Sequence, residues 1–469
     1  MRYISTRGEA PVLGFEDVLL TGLASDGGLY IPDVWPSLTP AQIADFAGRP
    51  YDEIAVEVVW PFTDGIIPRA DFERMAKEAY ATFGHPAVTP LVQIGENRWI
   101  LELFRGPTLA FKDVAMQLLA RMMDHVLAKR GARVTIVGAT SGDTGGAAVE
   151  AFRGRERADI FILYPAGRVS DVQRRMMTTP QDANIHALEI DGTFDDCQAL
   201  VKAMFADQVF RDDVQLSGVN SINWARIAPQ IAYYFCAAAQ LGAPYRPVSF
   251  SVPTGNFGDI FAGYAAKRMG LAVERLVVAS NSNDILPRTI ASGVYEKRPV
   301  QATMSPSMDI QVSSNFERFL FELQGRDAGL VRSQMNSLPQ SGRFEVSGGS
   351  AALSKHLRAH AATEDDVATC IRATLKTTGY LVEPHTACGL IAADSTLGDR
   401  RAAEIVLATA HSAKFPEAMT NIIGRSVELP EHLRSVMSAP ERAVSLNNDL
   451  RAVQGVIRDR SRALSEVGS

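Results

Sequence analysis

The sequence predicts an α/β fold built around a largely parallel sheet, preceded by a smaller helical unit. Three observations carry that expectation. From about residue 95 onward, short apolar runs rich in β-branched and aromatic residues alternate with helical stretches, the order expected of βα units. Several of those runs lead directly into glycine-rich loops. The chain has 469 residues, 46% hydrophobic and 21% charged, a globular mix with material for a large core. At roughly 100–200 residues per domain, that length corresponds to two or three folding units.

Within the first 80 or so residues, Ser25-Asp26-Gly27-Gly28 signals a turn. Thr39-Pro40 predicts a helix cap followed by proline at the first helical position, where its missing N–H removes no bond. A helical pattern follows over DFERMAKEAYATFG and ends on Gly84. These signals define a small, mainly helical N-terminal unit, taken as residues 1–90. Apolar positions 111, 114, 115, 118, 119, 122 and 126 then trace one helix face, with Lys112 beside it near the helix start.

The candidate strands are RVTIVGA (133–139), DIFILYPA (159–166), NIHALEI (184–190), PVSFSVP (247–253), ERLVVAS (274–280) and AEIVLAT (403–409). Residues 285–380 are less regular and include SGGS at 347–350. The sequence contains no internal repeat and no low-complexity tract.

Lys and Arg number 47 against 53 Asp and Glu, giving a net charge of −6, which argues against a nucleic-acid-binding surface spread over the chain. The four cysteines, Cys197, Cys236, Cys370 and Cys388, form no CxxC pair and have no nearby histidine at ligand spacing, so neither a metal site nor a disulfide framework is expected. The opening MRYISTRGEAPVLGFEDVLL contains acidic residues and lacks the pattern of a signal peptide. No stretch approaches the about 18 uninterrupted apolar residues of a spanning helix. A cytoplasmic location without membrane contact is therefore expected.

Three features bear on chemistry. Gly138-Ala139-Thr140-Ser141-Gly142-Asp143-Thr144-Gly145-Gly146 joins a strand to an alanine-rich helix and presents backbone N–H groups and hydroxyls that can hold an anion. A tight turn needing glycine explains the same residues, and no Lys-Ser/Thr closes the loop as in a nucleotide-binding P-loop. Pro253-Thr254-Gly255-Asn256-Phe257-Gly258-Asp259 again links a strand to a helix; its glycines permit close approach to a phosphate at a helix N-terminus. Lys112, if partly buried, is a candidate amine nucleophile, although a lysine at a helix edge is more often a solvated one.

Together these features resemble the fold type II pyridoxal-phosphate enzymes, the tryptophan synthase β family. YISTRG, GPTLAFKD, GATSGDTGGAA, NSINWAR, PTGNFGD, EPHTACG and TAHSAKF are similar in sequence and order to the threonine synthases, in their longer form with an extra N-terminal domain. The resemblance covers essentially the whole chain. It implies two open, twisted, mostly parallel sheets with flanking helices, interleaved over residues 91–469 with the active site between them, plus the N-terminal domain.

The resemblance also implies roles. Lys112 would form the Schiff base with pyridoxal 5'-phosphate and later act as a base. Gly255, Asn256, Phe257, Gly258 and Asp259 would wrap the cofactor phosphate, chiefly through backbone N–H groups. Thr409 would hydrogen-bond the pyridine nitrogen. Ser141, Asp143 and Thr144 match the loop that meets the substrate carboxylate and the cofactor's phenolic oxygen, although many relatives carry asparagine where this chain has Asp143. Asn220, Ser221 and Arg226 would bind the substrate phosphate, Arg226 through a bidentate guanidinium.

The implied reaction converts O-phospho-L-homoserine and water to L-threonine and phosphate by γ-elimination and β-addition of water. Dehydratases and O-acetylserine sulfhydrylases are disfavoured because their substrates carry no phosphate for NSINWAR to bind. A phosphohomoserine phospho-lyase is the remaining enzymatic alternative. A regulatory binder is disfavoured by retention of Lys112 and Asp259. No roles are assigned to His385 or His411; Trp224 and Phe257 are expected as core or pocket wall. The sequence leaves monomer and homodimer both open.

Overall fold

The computed structural model describes residues 1–464 apart from Leu397 and Arg400. All six strands predicted from the sequence are present and enter two larger sheets. One runs in the order Leu357–Ala361, Val273–Ser280, Val248–Pro253, Ala403–Ala408, Arg98–Glu102 and Leu91–Gly95, parallel throughout except for its last pair. The other runs Ala443–Asn447, Ile185–Asp191, Ala158–Pro165, Val134–Ala139 and Leu216–Ser217, parallel throughout. Strands of the first sheet flank those of the second in sequence, so the chain crosses between the sheets more than once.

Every residue of Val248–Pro253, Ala403–Ala408 and Ala158–Pro165 is buried. Apolar residues dominate these strands because helices cover both faces of a parallel sheet; the exceptions Ser249, Ser251, Glu404 and Asp159 are buried with hydrogen-bond partners. The strands that the sequence did not reveal include Arg98–Glu102, Leu357–Ala361 and Ala443–Asn447, where charged or polar residues interrupt the run or the strand is an edge.

The helix predicted from Lys112 spans Lys112–Arg130 and ends on Gly131 at φ 64°, with Lys129 and Arg130 in its last turn. Its buried surface is wider than the single predicted stripe, because Met116, Gln117, Ala120 and Met123 are buried as well. It packs against Arg69–Tyr80, Asp143–Phe152 and Trp224–Gln240, and so is enclosed on several sides.

At the N-terminus, Thr39 caps Pro40–Asp45 in a capping box with Gln42, as the sequence signal predicts. The other predicted helix runs Arg69–Tyr80, stopping short of Gly84. Besides its helices, this segment contains the antiparallel pair Tyr3–Ser5 and Tyr30–Pro32. Its core is continuous with the rest: Trp224, fully buried, has ring centroids of Tyr3, Trp35 and Phe62 within 6.2, 5.9 and 5.4 Å. Trp224 is thus a core residue through which the N-terminal segment grips the body.

Candidate active site

The loops that follow Val134–Ala139, Val248–Pro253 and Ala403–Ala408 converge on one cleft. The site therefore lies at strand carboxyl ends drawn from both sheets, where open α/β folds bind ligands.

Lys112 opens its helix directly after Phe111, whose N–H donates to the Thr409 carbonyl at 2.8 Å. An antiparallel bridge between Ala110 and Ala410 completes that junction. The Lys112 Nζ lies 3.6 Å from Asp143 Oδ2 and 4.7 Å from the Phe111 ring centroid. Burial lowers its proton affinity; the Asp143 carboxylate opposes that effect, while Lys414 and Arg226 add to it. An amine so placed is more readily unprotonated, and so more nucleophilic, than one in water.

Asp143 begins the helix Asp143–Phe152 and is buried. Its Oδ1 accepts from Lys414 Nζ at 2.6 Å and from Gln173 Nε2 at 2.9 Å. Burial by itself would raise its pKa, but Lys414 and Lys112 overcome that and hold the carboxyl far below the ordinary carboxylate range. Lys414 is fully buried and also donates to the Thr108 carbonyl at 2.8 Å.

Across the cleft, Phe257 takes a left-handed φ of 67° immediately before the helix Gly258–Arg268. Asn256 Oδ1 accepts from the Gly258 N–H at 2.9 Å, while the N–H groups of Gly255, Asn256 and Phe257 meet no acceptor among the described residues. A Cβ at Gly255 would lie 2.6 Å from the Ser307 carbonyl oxygen, so this approach requires glycine. From behind, the Ser313 hydroxyl donates to the Gly255 carbonyl at 2.6 Å.

Asp259 Oδ1 accepts from the hydroxyls of Tyr233 and Tyr234, the latter at 2.8 Å, and its buried Oδ2 has no partner among the described residues. Burial pushes its pKa up to about 6, against the lowering effect of the two tyrosines and Lys112. His385 is oriented by Glu383: its Nδ1 lies 2.7 Å from Glu383 Oε2, and its Nε2 accepts from the Ser307 N–H at 3.2 Å.

Open backbone donors at a helix N-terminus suit a phosphate, and an amine of lowered proton affinity suits an aldehyde. The residues present therefore fit pyridoxal phosphate. The family model for "Pyridoxal-phosphate dependent enzyme" matches residues 83–336, that for "Threonine synthase N terminus" residues 2–80, and that for "Threonine synthase, C-terminal" residues 386–457. The chain is 53% identical to threonine synthase of Pseudomonas aeruginosa, covering 97% of this chain and 98% of that protein. It is 39% identical to threonine synthase of Saccharomyces cerevisiae, with 97% of each covered.

The chain belongs to the threonine synthase family. Its fold agrees with the crystal structure of PLP-bound threonine synthase from Brucella melitensis at a TM-score of 0.96 and 59% identity, covering 98% of this chain and 100% of that one. Yeast threonine synthase follows at a TM-score of 0.92 and 38% identity, with 98% of each chain covered.

Of the residues singled out from the sequence, Lys112, Asp143, Gly255, Asn256, Phe257, Gly258, Asp259 and Thr409 line the cleft. Ser141, Thr144, Asn220, Ser221 and Arg226 do not. Ser141 and Asn220 are exposed, Thr144 and Ser221 half-buried, and Arg226 buried. Arg226 donates from Nη1 to the Val219 carbonyl at 2.8 Å, its Nε is without a partner among the described residues, and burial pushes its pKa down to about 10. Phe257 is both core and wall: it lines the cleft, and its ring packs against Phe316 and Phe319. His411 lies outside that lining, its ring against Phe104.

Sequence reasoning did not single out Lys414, Ser307, Gln173 or Asn315. Lys414 lay within TAHSAKF, but a lone lysine carries no signal of burial. Ser307 and Asn315 fall in the irregular stretch, where no periodicity marks a position.

Proposed function

We propose that the chain converts O-phospho-L-homoserine and water into L-threonine and inorganic phosphate at this cleft. The observation that carries the proposal is the pairing of a largely enclosed lysine amine with open backbone donors across one cavity, in a chain of the threonine synthase family. When bound, pyridoxal phosphate supplies an electron sink that acidifies carbon-bound protons of an amino acid attached to it.

The chain supplies the rest. The N–H groups of Gly255, Asn256 and Phe257 bind the cofactor phosphate, with the Gly258–Arg268 dipole reinforcing them. Lys112 Nζ would hold the cofactor and, as a free amine, would take the Cα proton, help remove one from Cβ and return a proton at Cγ. Positioned acid–base help of this kind contributes about 10²–10⁴ in rate per step. The Thr409 hydroxyl, on the cleft wall, would serve the cofactor's ring nitrogen as a neutral partner. Arg226, with Asn220 and Ser221, binds the substrate phosphate; the unpartnered Nε supports that assignment. Ser141 and Thr144 offer hydroxyl donors to the substrate carboxylate. Asp143 is an anion held by Lys414 and Gln173, which disfavours its contacting a second carboxylate.

The same reading takes residues 1–90 as an N-terminal domain and 91–469 as two interleaved α/β subdomains, in the cytoplasm and without nucleic-acid or membrane partners. Among the described residues, no helix is long and apolar enough to cross a membrane.

A visible spectrum of the purified protein with pyridoxal phosphate, before and after O-phosphohomoserine, tests the proposal when phosphate and threonine are assayed together. A cofactor band lost in Lys112→Ala, with both products forming in step, is the expected result. Phosphate and a keto acid without threonine would move the assignment to a phospho-lyase, and absence of any band would sink the cofactor reading.

A further inference from the structure

Asp143 lies between two lysines. Its Oδ1 is 2.6 Å from Lys414 Nζ, and its Oδ2 is 3.6 Å from Lys112 Nζ. Lys414 follows a strand of the six-stranded sheet, and Asp143 follows a strand of the five-stranded one, so the tighter pair spans the two sheets at the cleft. Lys414 is fully buried, and the reaction assigned above gives it no task.

A buried carboxylate facing a buried amine would draw it into a close ion pair and fix it as an ammonium. An ammonium is neither nucleophile nor base. Here the nearer oxygen is taken by a second cation, which leaves Lys112 a full ångström further away than Lys414. We propose that Lys414 is a positioning residue: by occupying Asp143 it stops that carboxylate from capturing Lys112 and keeps the Lys112 amine available for chemistry.

The other charged and titratable groups about Lys112 are Arg226 on Trp224–Gln240, Asp259 on Gly258–Arg268 and His385 on Pro384–Ser395. They stay in place when Lys414 is replaced, so the comparison isolates one charge. The proposal rests on Lys112 as the cofactor-anchoring residue.

The test is the pH titration of the visible cofactor band in wild type, Lys414→Met, Asp143→Asn and the double variant. Lys414 disfavours the charged form of Lys112 across their shared carboxylate, and removing a like charge within about 4–6 Å moves a titration by about one to three pH units. The expected order of midpoints has Lys414→Met above wild type, the double variant close to wild type, and Asp143→Asn below it. The kcat of Lys414→Met should fall at pH 7 and recover as pH rises toward its new midpoint. If Lys414→Met does not fold, the double variant lying above Asp143→Asn tests the same point. Equal midpoints in all folded proteins would overturn the proposal while leaving the functional reading intact. A wild type that never forms the band would remove that reading, and this proposal with it.

Discussion

The backbone N–H of Asn315 donates to the Asn256 carbonyl at 2.9 Å, tying the proposed phosphate loop to a residue outside the cleft. The same residue's Nδ2 donates to the Ser221 carbonyl at 3.1 Å, and its Oδ1 accepts from Arg318. Arg318, fully buried, donates onward to the carbonyls of Ile222 and Tyr30, and Glu317 beside it pairs with Arg7 at 2.9 Å. One short segment thus joins both proposed phosphate-binding stretches to the N-terminal segment. Asn315→Ala keeps the backbone bond but removes the side-chain ones. We expect KM for O-phosphohomoserine to rise about 5- to 150-fold, the equivalent of about 1–3 kcal/mol for a buried unpaired group. Cofactor affinity should change little. Steady-state kinetics beside a cofactor titration checks the split; equal losses in both would reduce Asn315 to a stability residue.

Gly255→Ala tests the cradle. The added Cβ meets the Ser307 carbonyl at 2.6 Å, and backbone cannot rotate away as a side chain can. Overpacking of this kind costs about 1–3 kcal/mol, so the pyridoxal phosphate dissociation constant should rise by about 5- to 150-fold. Gly258→Ala is the contrast: its nearest contacts are the side chains of Asn256, Ile227 and Asn315, from 3.1 Å outward. A Gly258 variant that binds cofactor worse than the Gly255 variant would contradict the placement of the phosphate.

Arg226 remains charged at neutral pH even with its pKa at about 10. Arg226→Ala should raise KM for O-phosphohomoserine by about 10- to 150-fold, as expected for a charged hydrogen bond of about 1.5–3 kcal/mol, and leave the cofactor spectrum unchanged. Arg226→Lys should recover little, because one ammonium cannot hold the Val219 carbonyl and a phosphate as the guanidinium fork does. Full recovery by lysine would mean that charge alone matters there.

The parts of this fold that were legible in the sequence share one physical property, burial on both faces. Val248–Pro253 and Ala403–Ala408 stood out as short runs rich in β-branched or large apolar residues leading into loops, despite Ser249, Ser251 and Glu404 within them. Arg98–Glu102 is also an interior strand, yet its buried Glu102 belongs there only because Arg105 and the Tyr380 hydroxyl satisfy it, and such partners are invisible before folding. The same holds at the site. Gly255 and Asp259 stood out by their place at a strand-to-helix junction, and Lys112 only through its combination with the glycine loops and the family resemblance. Lys414 reads as a surface lysine until Asp143 arrives from the other sheet to neutralise it.

Asp259 gives the site a pH signature. Burial raises its pKa to about 6 from the ordinary 3.8. Between those values the folded protein binds the proton and the unfolded chain releases it. The folded state therefore takes up more protons, and stability contributed by this group falls as pH rises through that window and stays lost above it. A shift of about two units corresponds to about 3 kcal/mol at most. Asp113, also raised to about 6 chiefly by burial, pulls in the same direction, so wild type alone cannot assign the effect. Asp259→Asn can, because the amide oxygen still accepts from Tyr234 but nothing titrates. Urea unfolding of the cofactor-free proteins at pH 4.5 and pH 7 should find the variant gaining on wild type by about 1–3 kcal/mol at the higher pH. A constant difference between the two proteins across that range would mean that Asp259 ionises normally.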